Sequence, residues 1–262
     1  MSGRPTALDA LAADPPTAGL VVDFDGVLSP IVEDPTTSAM PDGVAHVLGR
    51  LANGLGLVAV MSGRPVDFLR DRVPVAGVPL LGSYGMEQVG RDGQRKMDPS
   101  AKDWLDKVRQ AGQALDEHFG AWPGIRVEKK SVSVAVHWRQ ADDHTAAATE
   151  VRRVGAAIAA ETGLKLEPGK LVEELRPPID VDKGSAVAAL LAEEKPATVA
   201  YAGDDLGDIP ALLTVRAAGG YALVVDHGAE TDPRLLEIAD QTYAGTGEFA
   251  DWLTELAARI GV

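Results

Sequence analysis

The chain has 262 residues, 45% of them hydrophobic and 24% charged, with a net charge of -14 and no cysteine. Such a chain is ordinary globular material able to bury a sizeable core; its lack of cysteine excludes disulfides, thiol catalysis and thiolate-bound metals, and its acidity argues against nonspecific attraction to nucleic acid or anionic membranes. The N-terminal stretch carries Asp9 and Asp14 and has no long apolar run, and no segment reaches about 18 uninterrupted apolar residues, so a cytoplasmic protein without a membrane span is expected.

Short β-type runs recur ahead of loops rich in Gly, Ser or Asp: LVV before Asp23, LVAVM before Ser62, VPLLG before Ser83, TVAYAG before Asp204 and YALVV before Asp226. Segments with helical spacing separate them, over 42–52, 66–71, 184–194 and 206–213. This alternation predicts an α/β fold with a doubly wound parallel sheet. The middle differs. Helices are predicted over 102–119 and 144–162, around IRVEKKSVSVAVHWR, whose alternation suits antiparallel strands with one exposed face. The expected organisation is therefore a core of 1–101 and 175–262, with an α+β module of 102–174 inserted in it. Pro177 and Pro178 mark the return.

Four loop motifs follow core strands or open helices: DFDG at 23–26, MSGR at 61–64, DKGSAV at 182–187 and GDDLGD at 203–208. Singly each has a structural explanation. Ser62 suits a helix N-cap, Lys183 a solvated first turn, and GDD a capped turn. Together they form a kit for phosphoryl transfer. Asp23 can attack phosphorus. Its charge repels a phosphate dianion, so a divalent cation such as Mg²⁺ must lie between them, on oxygens from Asp204, Asp205 and Asp208. Asp25 can protonate the leaving alkoxide and then deprotonate water. Ser62, with the N–H groups of Gly63 and Arg64, can hold phosphoryl oxygens, and Lys183 can neutralise their charge.

These motifs resemble those of the haloacid dehalogenase superfamily, and DFDGVLSPIVEDP looks like trehalose-6-phosphate phosphatases. The likeness continues through MSGRP, GSYGMEQ, VEKKSVSVAVHWR, LVEELRPPIDVDKGSAV and YAGDDLGD. It implies a Rossmann-like core with an inserted α+β cap, a Mg²⁺ cofactor, and hydrolysis of trehalose 6-phosphate. By position it implies Asp23 as nucleophile and Asp25 as acid and base. Asp204 becomes a metal ligand beside the Asp23 carboxylate and the Asp25 carbonyl, and Ser62 and Lys183 phosphate ligands. Cap residues reading the sugar phosphate would be Glu128, Lys130, His137, Arg139 and Glu174. The family's usual Thr after DxDG is Val27 here, and Gly207 and Ile209 replace a hydroxyl and a carboxylate.

Period-two alternation puts Glu128, Lys130, Val132, Val134, Val136 and Trp138 on one parity of the central run, and Lys129, Ser131, Ser133, Ala135, His137 and Arg139 on the other. A solvated sheet face also accounts for this pattern. Arg64 and Arg176 serve equally well as structural ion-pair partners, and Tyr84 and Glu87 either line the site or pack. His137 has no second His or Cys at chelating spacing. Alternative functions are a phosphatase of another sugar phosphate, a sugar phosphomutase, or a noncatalytic partner of a sugar-phosphate synthase. The expected partner is a sugar phosphate; the oligomeric state is left open.

Overall fold

The computed structural model describes residues 4–32, 34–169 and 171–262. In chain order the first elements are α1 (Ala7–Ala13), β1 (Ala18–Asp23), α2 (Asp42–Gly54), β2 (Leu57–Met61), α3 (Val66–Arg72), β3 (Leu80–Gly82), β4 (Glu87–Val89) and β5 (Arg95–Met97). There follow α4 (Pro99–Lys102), α5 (Leu105–Phe119), β6 (Arg126–Lys129), β7 (Val134–His137), α6 (His144–Thr162), β8 (Lys165–Gly169) and β9 (Val172–Arg176). The chain closes with α7 (Lys183–Glu194), β10 (Thr198–Gly203), α8 (Ile209–Ala217), β11 (Tyr221–Asp226), α9 (Pro233–Ile238), β12 (Gln241–Ala244) and α10 (Gly245–Arg259). No helix among the described residues is long and apolar enough to cross a membrane.

Two compact units result. One joins the chain up to Lys96 with Val181–Val262, and the other is Met97–Asp180. The second thus begins before Lys102 and ends after Glu174, taking in α4, Pro177 and Pro178.

The first unit holds an eight-stranded sheet in the order β12-β11-β10-β1-β2-β3-β4-β5. From β12 to β3 every pairing is parallel, and β4 turns back antiparallel on β3. Successive residues of the central strands enter opposite cores, as strand geometry requires. Leu20, Val22, Val58 and Val60 belong to a cluster with Leu48, Leu51, Leu253 and Leu256. Val21, Leu57, Ala59 and Met61 belong to another with Val187, Leu190, Leu212 and Val215. Helices therefore cover both faces, which is why these strands read as continuous apolar runs. The order also sets the site. From β1 the chain proceeds to β2 and β3 on one side, whereas β10 lies on the other, so the β1/β10 boundary is a topological switch point.

The second unit is a four-stranded antiparallel sheet, β6-β7-β9-β8. Val134, Val136 and Leu175 pack with Val108 and Leu115 of α5 and Val151 and Ile158 of α6. The helix predicted over 102–119 is broken between α4 and α5, where Trp104 precedes Leu105. Gly163 ends α6 in the left-handed conformation at φ 77, accessible at little cost to glycine.

Candidate active site

Strand β1 carries Asp23 to its C-terminal end, where the residue is only 4% exposed. The Lys183 ammonium stands 2.8 Å from Asp23 Oδ1 and 2.7 Å from Asp208 Oδ1. Lys183 begins α7, whose capping box of Asp182 and Ser185 fixes where that first turn starts. It is itself 3% exposed, so the solvated first-turn reading does not hold. Asp208 is fully buried and saturated with donors. Its Oδ1 accepts from Lys183 and, at 2.5 Å, from the Tyr201 hydroxyl, while Oδ2 accepts the backbone N–H groups of Asp204 and Asp205 at 3.1 and 3.2 Å. Burial alone would lower the Lys183 pKa, but Asp208 and Asp23 reverse that and raise it well above the usual value. Burial likewise works against the Asp208 carboxylate, and Lys183 with the hydrogen bonds outweighs it. Asp23 goes the other way: burial, then the Asp208 charge, push its carboxyl well up despite Lys183.

A cation suits this imbalance. One oxygen each from Asp23, Asp204 and Asp208 lie within 4.8 Å of one another. Asp23 Oδ1 is at ion-pair distance from Lys183 yet accepts no hydrogen bond, so it retains coordinating capacity. These are hard oxygen donors, of the kind Mg²⁺ prefers. Since Asp208 already serves four donors, Asp23 and Asp204 are the better ligands. Asp205 caps the short 3-10 turn Leu206–Asp208 and is exposed.

Asp204 sits against the β1 loop. Gly26 has φ +78, and a Cβ there would meet Asp204 Oδ2 at 2.0 Å, so the loop requires glycine twice over. His227, just after β11, donates to the Gly26 carbonyl at 2.9 Å and approaches Asp204 Oδ2 at 3.5 Å. Asp204 raises the His227 pKa, against burial and with help from the Gly26 carbonyl. A groove lined by Ile31, Asp204, Leu206, His227 and Thr231 opens beside this corner.

Ser62 directly follows β2 and is 2% exposed. It does not cap α3, whose N-cap is Pro65; its Oγ accepts the Arg64 N–H at 3.1 Å. A Cβ on Gly63 would strike the Tyr84 ring at 2.7 Å, so Tyr84 packs over this loop. Glu87 is buried beneath, accepting from the Ser83 hydroxyl at 2.7 Å. The Arg64 guanidinium grips Asp25, with Nε on Oδ2 at 2.8 Å and Nη2 on Oδ1 at 3.1 Å. Ser38 Oγ donates to the same Oδ1 at 2.7 Å.

In the second unit the expected parity is overturned. A turn at 130–133, closed by Lys130 N–H on the Ser133 carbonyl, makes the run a hairpin in which Arg126 faces His137 and Glu128 faces Ala135. Facing residues share a sheet side, so Glu128 and His137 stand together rather than on opposite faces. They hydrogen-bond at 2.8 Å. Glu174, opposite Ala135 on β9, accepts from Lys130 Nζ at 2.9 Å and Ser133 Oγ at 2.5 Å. Arg176 pairs with Glu167 at 2.8 Å. Arg139 lies past β7, exposed, and no hydrogen bond among the described residues ties its side chain to this network. The His137 hydrogen bond lowers the Glu128 pKa from 4.5 to about 2, against burial and with help from Lys130.

Tyr201, His227 and Ser38 were not singled out from the sequence. Tyr201 lies inside an apolar strand three residues before Asp204, and only its hydroxyl signals a polar neighbour. His227 follows a parallel strand, the position where loops face ligands, so a signal existed there. Ser38 lies in a loop without period.

The parallel sheet with an acidic cluster at its switch point is a fold of the haloacid dehalogenase type. Residues 21–230 match the trehalose-phosphatase family model, and the chain belongs to that family. It is 32% identical over 271 residues to a trehalose-phosphate phosphatase of Mycobacterium marinum, covering 100% of this chain and 68% of that protein. It is 38% identical over 222 residues to an uncharacterized glycosyl hydrolase of Mycobacterium tuberculosis, covering 81% of this chain. The matched region spans only 16% of that larger protein. Among solved structures, a trehalose-6-phosphate phosphatase related protein superposes with a TM-score of 0.77 at 22% identity, over 92% of this chain and 97% of that one.

Gly26→Ala forces the Asp204 carboxylate away and adds about 1 kcal/mol of left-handed strain. Calorimetric titration should show Mg²⁺ affinity reduced about tenfold or more with unchanged far-UV circular dichroism; unaltered affinity would remove Asp204 from the cation site.

The Glu128–His137 bond makes a second expectation. A carboxylate held at about 2 against 4.5 lends stability above pH 4.5 that is lost as pH falls through 2. NMR titration of the Glu128 carboxyl carbon should give a midpoint near 2, moving towards 4.5 in His137→Ala. An unmoved midpoint would locate the cause elsewhere.

Proposed function

We propose that this chain hydrolyses trehalose 6-phosphate to trehalose and inorganic phosphate, with Mg²⁺ as cofactor and an aspartyl phosphate on Asp23 as intermediate. The observation that carries the reading is the buried Asp23 carboxylate at the switch point, paired with Lys183 at 2.8 Å and grouped with Asp204. Membership of the trehalose-phosphatase family supports this choice of substrate.

When bound by Asp23, Asp204 and the Asp25 carbonyl, Mg²⁺ supplies the charge that lets a carboxylate approach a phosphate dianion. Asp23 then forms a bond to phosphorus as the bond from phosphorus to the sugar oxygen breaks, and Asp25 delivers its proton to the departing alkoxide. The ionised Asp25 next takes a proton from water, whose oxygen attacks phosphorus and releases Asp23. Lys183 and the Ser62 hydroxyl, with the Gly63 N–H, hold the nonbridging oxygens in both steps, while the Arg64 N–H, donated to Ser62 Oγ, orients that hydroxyl. Asp208 holds Lys183 and the Asp204 backbone in place, with Asp205 capping the same turn.

Sugar recognition is assigned to the second unit, acting as a cap. Its polar sheet face offers Glu128, Lys130, His137 and Glu174, already ordered by mutual hydrogen bonds, and Arg139 near the end of β7. Preordered partners of both signs suit a ligand with many hydroxyls and one dianion.

The test is phosphate release from a panel of sugar phosphates. Trehalose 6-phosphate should have the highest kcat/KM, EDTA should abolish activity and Mg²⁺ restore it, and Asp23→Asn should lower kcat by at least about a thousandfold while remaining folded. Sustained turnover by Asp23→Asn, or a stronger preference for another ester, would refute the nucleophile or the substrate respectively.

A further inference from the structure

We infer that Ser38, backed by Ser29, is a positioning residue for Asp25, setting the direction from which that carboxyl group delivers its proton. The inference rests on the proposed acid–base role of Asp25. Both serines are fully buried at 0% exposure, unusual for hydroxyls without a task in binding a polar partner. Ser38 Oγ donates to Asp25 Oδ1 at 2.7 Å, and Ser29 Oγ stands 2.8 Å from Ser38 Oγ. While Asp25 is ionised, the Ser38 proton goes to its Oδ1, and Ser29 Oγ is then the donor at 2.8 Å in preference to its longer 3.4 Å approach to the Pro30 carbonyl. With Asp25 ionised the hydrogen bonds run one way, from Ser29 to Ser38 to Asp25, and each strengthens the next.

The segment carrying Ser38 is anchored independently. Arg72 of α3 donates to the Ser38 carbonyl at 3.0 Å and to the Thr36 carbonyl at 3.0 Å. Arg72 also lies over the Phe68 ring, 5.0 Å from its centroid, and Arg64, the other donor to Asp25, lies 4.8 Å from the same ring. One aromatic ring thus aligns both arginines, one gripping Asp25 and the other gripping the strand of chain that presents Ser38. Val27, which follows the turn glycine, carries no hydroxyl and is 1% exposed within the apolar core. Among the described residues, the hydroxyl on Asp25 comes only from Ser38.

A misdirected acid slows departure of a poor leaving group far more than of a good one, which leaves without a proton. The experiment is single-turnover rapid quench, following leaving-group release from trehalose 6-phosphate and from 4-nitrophenyl phosphate. Ser38→Ala should slow release from trehalose 6-phosphate about tenfold with KM nearly unchanged, and release of nitrophenolate less than about twofold. Ser29→Ala, which keeps the Ser38 hydroxyl, should give the same split at smaller size, and carries the test if Ser38→Ala does not fold. Asp25→Asn should give the split at its largest. Equal losses on both esters, or none, in the serine variants while Asp25→Asn retains the split would overturn the positioning role alone. No split in Asp25→Asn would overturn the acid–base reading and the inference with it.

Discussion

A buried ammonium between two buried carboxylates organises this molecule. Desolvating Lys183, Asp23 and Asp208 costs several kcal/mol per ion, so the three are tolerable only at contact distances. That condition ties distant parts of the chain together. Strand β1 must end at Asp23, α7 must begin at Lys183, and the turn after β10 must return Asp208 beneath them, where Tyr201 and two backbone N–H groups complete its shell. The neighbouring order of β1 and β10 makes this convergence possible. Removing Lys183 would leave two uncompensated carboxylates, so its loss would cost stability as well as activity.

The same arithmetic of charge favours the proposed cation. Asp23, Asp204 and Asp208 outnumber the single Lys183, and the excess falls on Asp23, whose carboxyl is pushed upward by burial and by Asp208. The proposed nucleophile must be ionised, and added positive charge near Asp23 and Asp204 would favour that form. In the second unit the polar face is internally partnered, Glu128 hydrogen-bonded to His137 and Glu174 paired with Lys130.

Much of this was legible in the sequence because parallel strands buried on both faces are apolar until they stop, and the residue types at their C-terminal ends then stand out. DFDG, MSGR and GDDLGD are of that kind, and DKGSAV opens a helix with its own capping residues. What escaped reading was tertiary. Tyr201 looks like any strand aromatic until Asp208 folds back on it, and Ser38 acquires meaning only when Arg72 draws its loop to Asp25. The parity of VEKKSVSVAVHWR failed because alternation persists through the 130–133 turn, so the one signal used cannot register a reversal of direction. In the same way, helical spacing runs through the break between α4 and α5.

The proposed mechanism requires Asp23 to carry the phosphoryl group. Acid quenching during turnover of labelled trehalose 6-phosphate, followed by peptide mapping, tests this directly. The predicted result is an acid-stable, hydroxylamine-labile phosphoryl group on the peptide containing Asp23, appearing before free phosphate and decaying at the rate of turnover. Turnover with label on another residue, or with no acyl phosphate while phosphate is released in a single step, would contradict it.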